Sequence, residues 1–119
     1  MNTILVGFFL LASPPAQGPG DRVYEGTWVT TNRRLEGTLT CVVTDLGGEQ
    51  WRGRFSGAWQ RVSFAYTVDF TGPPEKLRGK AVIDGADYDW TGDLGGHEFK
   101  GRFTGNRYHG SFRLKEKSK

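Results

Sequence analysis

The chain repeatedly sets a glycine midway between two aromatic residues. YEGTW (Tyr24–Trp28), WRGRF (Trp51–Phe55), FKGRF (Phe99–Phe103) and YHGSF (Tyr108–Phe112) are the full copies. Looser versions with a large apolar residue at one or both ends occur at Leu35–Leu39, Phe55–Trp59 and Trp90–Leu94, and Leu77–Ala81 is weaker still. Residues two apart on an extended strand share a face, so ring, glycine and ring point one way. The residues between them, among them Glu25, Arg52, Arg54, Lys100, Arg102 and His109, point the other way. This alternation of apolar inside and polar outside is that of half-buried antiparallel strands.

Eight strands are predicted, at about 23–31, 34–44, 50–59, 62–70, 76–83, 86–94, 97–104 and 107–115. The fourth, VSFAYTVDF, lacks the glycine but alternates strictly. All fourteen aromatics after residue 20 share the inward parity of their strand. Asp84–Gly85, Gly95–Gly96 and Gly105–Asn106 read as two-residue hairpin turns, with Gln60–Arg61 a poorer one. Folding at Gln60–Arg61 sets Gly57 opposite Phe64 and Phe55 opposite Tyr66. Folding at Asp84–Gly85 sets Trp90 opposite Gly79. Folding at Gly95–Gly96 sets Phe99 opposite Gly92 and Trp90 opposite Gly101. Large residues thus repeatedly face glycine, which makes room for a neighbour's ring and lets the strand bend. Each glycine weakens its strand by about 0.5–1 kcal/mol, whereas burying one aromatic side chain stabilises by about 1.5–3 kcal/mol.

No segment reads as a helix; TDLGGEQ and FTGPPEK are taken as loops. The apolar face must then be buried by the sheet itself. The expected fold is all-β, an eight-stranded antiparallel up-and-down meander closed or nearly closed into a barrel, with a β-sandwich or a curled single sheet as alternatives.

The first twenty residues carry no charged side chain, and ILVGFFLLA (Ile4–Ala12) is followed by the breaker-rich SPPAQGPG. The run is about half the roughly 20 residues that a membrane-spanning helix needs. It reads as the hydrophobic region of a secretory signal peptide, with no transmembrane anchor. The expected organisation is a signal and linker over 1–20, a barrel domain over 21–115 and a flexible tail over 116–119, exported as a monomer. Cys41 is the single cysteine, so no internal disulfide can form. The net charge of +3 fits a weak preference for anionic surfaces rather than a dedicated nucleic-acid binder.

Two families resemble parts of this pattern. YEGTWVTTNRRLEGTLT and FKGRFTGNRYHGSF are similar to MORN-repeat hairpins, a resemblance that implies a curled antiparallel sheet used for protein or lipid contact. Gly26-Thr27-Trp28 on the first strand, followed by a meander, resembles the opening of lipocalin- and avidin-type barrels. That resemblance implies an eight-strand topology, a small ligand in the barrel mouth and an arginine, Arg113, packed on the tryptophan. The parity of the last strand points Arg113 outward instead.

The chemistry-bearing residues are scattered by the same alternation. His97 is read as inward at a strand end and His109 as outward; Cys41 shares the parity of Leu39 and Val43 and reads as a core thiol. The acidic run IDGADYDWTGD lacks the spacing of an EF-hand calcium loop. Asp84 serves the turn, and Asp89 is placed outside between Lys80 and Arg102, as Arg52 is paired with Asp69. No metal, cofactor or catalytic residue is assigned. Stacking of single-stranded nucleic acid needs rings beside cations, and here the two lie on opposite faces. The inner tyrosines and tryptophans could line a pocket, although an eight-strand barrel of this size is normally just filled by its side chains. If there is a pocket, its residues are expected to be Trp28, Tyr66, Tyr88, Trp90 and His97. The sequence reads first as a non-enzymatic binding or interaction module for an unknown protein or cell-envelope component. A carrier of a small apolar ligand in the barrel mouth is the alternative.

Overall fold

A computed structural model describes residues 21–117 apart from Arg33, Asp84 and Asn106. The expected signal segment, the last two residues and parts of two predicted turns lie outside the described residues. Eight strands follow in order: β1 (Arg22–Thr30), β2 (Glu36–Gly47), β3 (Gln50–Trp59), β4 (Val62–Thr71), β5 (Leu77–Ile83), β6 (Ala86–Asp93), β7 (Glu98–Gly105) and β8 (His109–Glu116). Each pairs antiparallel with the next, and β8 returns to β1 from Thr30↔Gly110 to Tyr24↔Glu116, so the sheet is a closed barrel. Closure leaves neither the free edges of a curled sheet nor the two layers of a sandwich.

The register follows the facing of rings and glycines where the turns are tight. Trp59↔Val62, Gly57↔Phe64, Phe55↔Tyr66 and Trp51↔Phe70 join β3 to β4, and Ala81↔Tyr88, Gly79↔Trp90 and Leu77↔Gly92 join β5 to β6. Three connections differ from the sequence reading. TDLGGEQ is a hairpin: β2 runs on to Gly47, and the turn is made by Gly47, Gly48 and Glu49 at φ 86, 61 and 60°. Between β6 and β7 the ladder pairs Gly92↔Gly101 and Trp90↔Phe103, two residues from the expected register. Leu94 leaves the ladder there: it is buried, and its N–H donates to Pro74 O at 2.8 Å, while Asp93 Oδ1 accepts from Gly95 N at 2.8 Å. Between β7 and β8 the last pair is Thr104↔His109, with Gly105 N donating to Tyr108 O, so this link is longer than a two-residue turn. A shift of two residues preserves the facing of every side chain, which is why the core survives both changes.

The two ends of the barrel differ. The end bearing the β2–β3, β4–β5 and β6–β7 connections is packed solid. Tyr24, Phe70, Leu77, Phe99, Leu114 and Cys41 are there or nearby and almost wholly buried. Their rings meet along the barrel axis: Phe70 lies 4.7 Å from Trp90, Phe99 5.1 Å from Phe112 edge-on, and Tyr24 5.7 Å from Phe99. Such edge-to-face and tilted contacts suit the ring quadrupoles. The opposite end, bearing the other four hairpin turns, holds the candidate site.

The seam between β4 and β5 is thin. Only Phe70↔Gly79 and Thr71↔Arg78 pair across it, against ten pairs between β3 and β4. Toward the open end β4 runs past β5 without a described ladder partner on that side.

Candidate functional site

The open end contains a cavity of about 290 Å³. Its floor is Leu39, Phe55, Val68, Trp90 and Phe112, which separate it from the packed end. Its walls come from six strands: Trp28 and Thr30 from β1, Trp59 from β3, Phe64 and Tyr66 from β4, Ala81 and Ile83 from β5, Tyr88 from β6 and Phe103 from β7. Leu35 and Tyr108, on two turns, stand at the mouth.

Glycine sets how these rings lie. Trp28 faces Gly37 across the β1–β2 ladder, Phe64 faces Gly57, Tyr88 faces Gly105 and Phe103 faces Gly110. Each ring lies over its glycine: a Cβ on Gly37 would stand 2.7 Å from Trp28 Nε1, and one on Gly57 2.8 Å from Phe64 Cζ. Cβ atoms on Gly105 and Gly110 would meet the Tyr88 and Phe103 rings in the same way. A ring laid sideways over a glycine hugs the wall instead of reaching the axis. The expectation of a filled barrel holds at one end only, since the other keeps the cavity.

The rim is braced on one side. Thr30 N donates to Leu35 O at 2.8 Å and Leu35 N to Thr30 Oγ1 at 2.9 Å, which fixes the β1–β2 turn. That turn is laced to the β7–β8 turn. Thr31 N donates to His109 O, Asn32 Nδ2 to Arg107 O, both at 2.8 Å, and His109 N to Asn32 Oδ1 at 3.1 Å. The β4–β5 side has no such lacing among the described residues.

The lining contains no Asp, Glu, Lys, Arg, His or Cys among the described residues. Its polar atoms are those of Thr30, the three tyrosines and the tryptophan indoles. Trp28 Nε1 is buried with no hydrogen-bond partner among the described residues. The charges near the mouth are outside it: Arg34, Arg61 and Arg107 on three turns are exposed. Three tryptophans, Trp28, Trp59 and Trp90, face the cavity and make it optically visible.

Of the five residues singled out by sequence, Trp28, Tyr66, Tyr88 and Trp90 line this cavity. His97 does not. It sits in the β6–β7 turn at the other end, with its side chain 92% exposed and Nδ1 3.1 Å from Glu116 Oε1. The departure of Leu94 from the ladder carries the next residues out of alternation, so the inward parity assigned to His97 fails. Tyr24 belongs to the packed end, and Arg113 is exposed on the outer wall, away from Trp28. Cys41 is fully buried; burial pushes its thiol pKa well up, and the Arg54 guanidinium opposes this only in part. Outside, Arg52 Nε meets Asp69 Oδ1 at 2.8 Å as expected, and Lys80 Nζ reaches Asp89 at 4.0 Å. Arg102 instead faces Thr91, a consequence of the β6–β7 register. Facing alone could not reveal Phe64, Ile83 and Phe103 as lining residues: they share the inward parity of many core residues, and only their height above the floor distinguishes them.

No protein-family model matches this chain, and no curated protein matches it. Among solved structures it is similar to the fatty-acid-binding protein 1 of Echinococcus granulosus, at 13% identity over 83% of this chain and 96% of that one, with a TM-score of 0.51. At that identity the likeness is one of barrel fold.

Proposed function

We propose that this protein is a non-enzymatic carrier that holds a small apolar ligand in the open end of the barrel. The observation that carries the reading is the 290 Å³ cavity walled by aromatic and aliphatic side chains. Its volume is near the lower bound of small-molecule sites, which run from about 300 to 1,000 Å³. With about 30 Å³ for each water of liquid, the space corresponds to roughly ten water molecules, so the buried part of the ligand is small. With no cation or carboxylate in the lining, that part is also uncharged, because an unpaired buried charge is strongly disfavoured. An ionised end, where a ligand has one, stays at the rim. The barrel fold shared with a fatty-acid-binding protein supports a carrier over an interaction module. The non-enzymatic reading is supported by the same lining, which holds no Asp, Glu, Lys, His or Cys among the described residues. Export remains a proposal that rests on the uncharged apolar run before residue 20.

Titration with N-phenyl-1-naphthylamine, a neutral apolar fluorophore, tests this. Saturable one-to-one binding should quench the cavity tryptophans by energy transfer. Ala81→Leu, which fills the cavity from β5, should weaken binding at least tenfold while leaving the fold intact by circular dichroism. A non-saturating response, or equal binding to both proteins, refutes the carrier reading.

A further inference from the structure

The outer wall of β5 to β8 gathers several cations in one place. Other exterior cations face anions: Arg52 with Asp69, Arg54 with Asp21, Lys117 with Glu25 and, on this wall, Lys80 with Asp89. On this wall the ladder sets Lys100 between Asp93 and Arg113, and Arg78 and Arg102 on either side of Thr91. All four cations are exposed, and none has an ion-pair partner among the described residues. Like charges directly opposite each other on neighbouring strands are destabilising. The β6–β7 register moves Arg102 from Asp89 to Thr91, and the β7–β8 register sets Lys100 opposite Arg113.

These four cations and Lys76 line an open groove of about 650 Å³, together with the hydroxyl residues Thr91 and Ser111. Thr91 lies between Arg78 and Arg102, and Ser111 pairs with Arg102, so one row across four strands alternates cation and hydroxyl. Guanidinium groups beside hydroxyls are donors suited to the oxygens of sulfate, phosphate or carboxylate. Glu75 and Asp93 also line the groove; Asp93 is turned to the Gly95 amide.

We propose that this groove binds an acidic polysaccharide, whose successive oxyanions neutralise Arg78, Arg102, Lys100 and Arg113. A chain of anions suits the site better than a lone one, since the cations are spread over β5, β7 and β8 across a four-strand face. The wall presents no outward Phe, Tyr or Trp among the described residues, so it has no stacking platform of the kind single-stranded nucleic acids require. The proposal is independent of the cavity and stands whether or not the barrel carries a ligand.

The test uses the full chain and a heparin oligosaccharide as probe, titrated by isothermal calorimetry at several salt concentrations. Arg102→Gln/Arg113→Gln should weaken binding about tenfold and lower the slope of log affinity against log salt by about two, since each neutralised cation contributes about one. Arg34→Gln/Arg61→Gln removes the same charge from the barrel rim and should leave both nearly unchanged. The wall variant should also melt no lower than the parent, because a like-charge contact has been removed. Equal losses from the two double variants mean that net charge alone is responsible and overturn the site. Absence of heparin binding, or tighter binding of a thymidine oligonucleotide than of heparin, overturns it as well.

Discussion

Gly101→Ala should destabilise the barrel through a single ring. Gly101 lies opposite Phe112 in the β7–β8 ladder, and an added methyl would fall on the Phe112 ring and 2.9 Å from Thr91 O. Phe112 is 6% exposed and touches Phe55, Trp90 and Phe99, with centroids at 5.6, 6.0 and 5.1 Å, so it can retreat only toward the cavity it floors. Overpacking a closed core costs about 1–3 kcal/mol, and replacing a strand glycine returns about 0.5–1 kcal/mol of backbone entropy. Because the neighbours are rings already in contact, the upper part of the range applies, and a net loss of about 2 kcal/mol is expected. For a domain of this length about 1 kcal/mol moves the midpoint by 4–8 °C, so Tm should fall by about 8–16 °C. Differential scanning calorimetry measures it. Gly95→Ala is the control, since a methyl there meets only Asp93 Oδ1, at 3.0 Å, and should leave Tm nearly unchanged. Phe112→Leu in the Gly101→Ala background should cost less than in the parent, because the smaller side chain relieves the clash. A Gly101→Ala protein as stable as the parent, or a double variant whose losses simply add, refutes the idea that glycine is needed to seat the ring.

Three further outcomes follow from burial, pairing and charge. Cys41 should resist Ellman's reagent in the native state and react at once in denaturant, because burial both covers the thiol and raises its pKa; rapid native labelling would contradict the packing. Hydrogen exchange should be fast at alternate amides of β4 between Val62 and Asp69 and slow across β3, since β5 pairs with β4 only at Phe70 and Thr71; uniform protection along β4 would mean a closed seam. The Arg52 guanidinium holds the Asp69 carboxyl below its ordinary pKa. The pair's stabilising contribution is therefore present above the usual carboxylate range and is lost as pH falls through the lowered value. The Asp69→Asn protein should show a smaller loss of Tm on acidification than the parent, and parallel profiles would show that the pair contributes nothing.

The faces of the strands were legible because a period of two records facing residue by residue, and rings at Trp51, Phe55 and Phe70 could not share a parity without sharing a core. Closure was legible as an expectation, since no helix was there to cover the apolar face. The β6–β7 register was not, because it depends on the Pro74 carbonyl capturing Leu94 N–H from a connection twenty residues earlier. No local pattern announces that bond, and its loss from the reading misplaced His97 and paired Arg102 with Asp89. Trp28, Tyr66, Tyr88 and Trp90 lie around the cavity, yet a hollow interior could not be deduced, because hollowness depends on how rings tilt and not on which way they face.

That tilt gives the repeated glycine a second consequence beyond relief of crowding. Rings lie over glycines at both ends: Phe55 and Phe70 over Gly53 and Phe99 and Trp90 over Gly92 where the barrel is packed, and Trp28, Phe64, Tyr88 and Phe103 over Gly37, Gly57, Gly105 and Gly110 around the cavity. A side chain at position 57 would deny Phe64 its place on the wall and drive the ring toward the axis, where the cavity now stands. Gly57→Ala should therefore both lower Tm and weaken binding of the naphthylamine probe, although its methyl also meets Thr38 O on β2 and residue 57 itself is absent from the cavity lining. The strain on β2 alone would lower stability and leave affinity unchanged. Joint loss ties the hollow to the glycine, and loss of stability without loss of binding would show that the open end keeps its cavity by some other means.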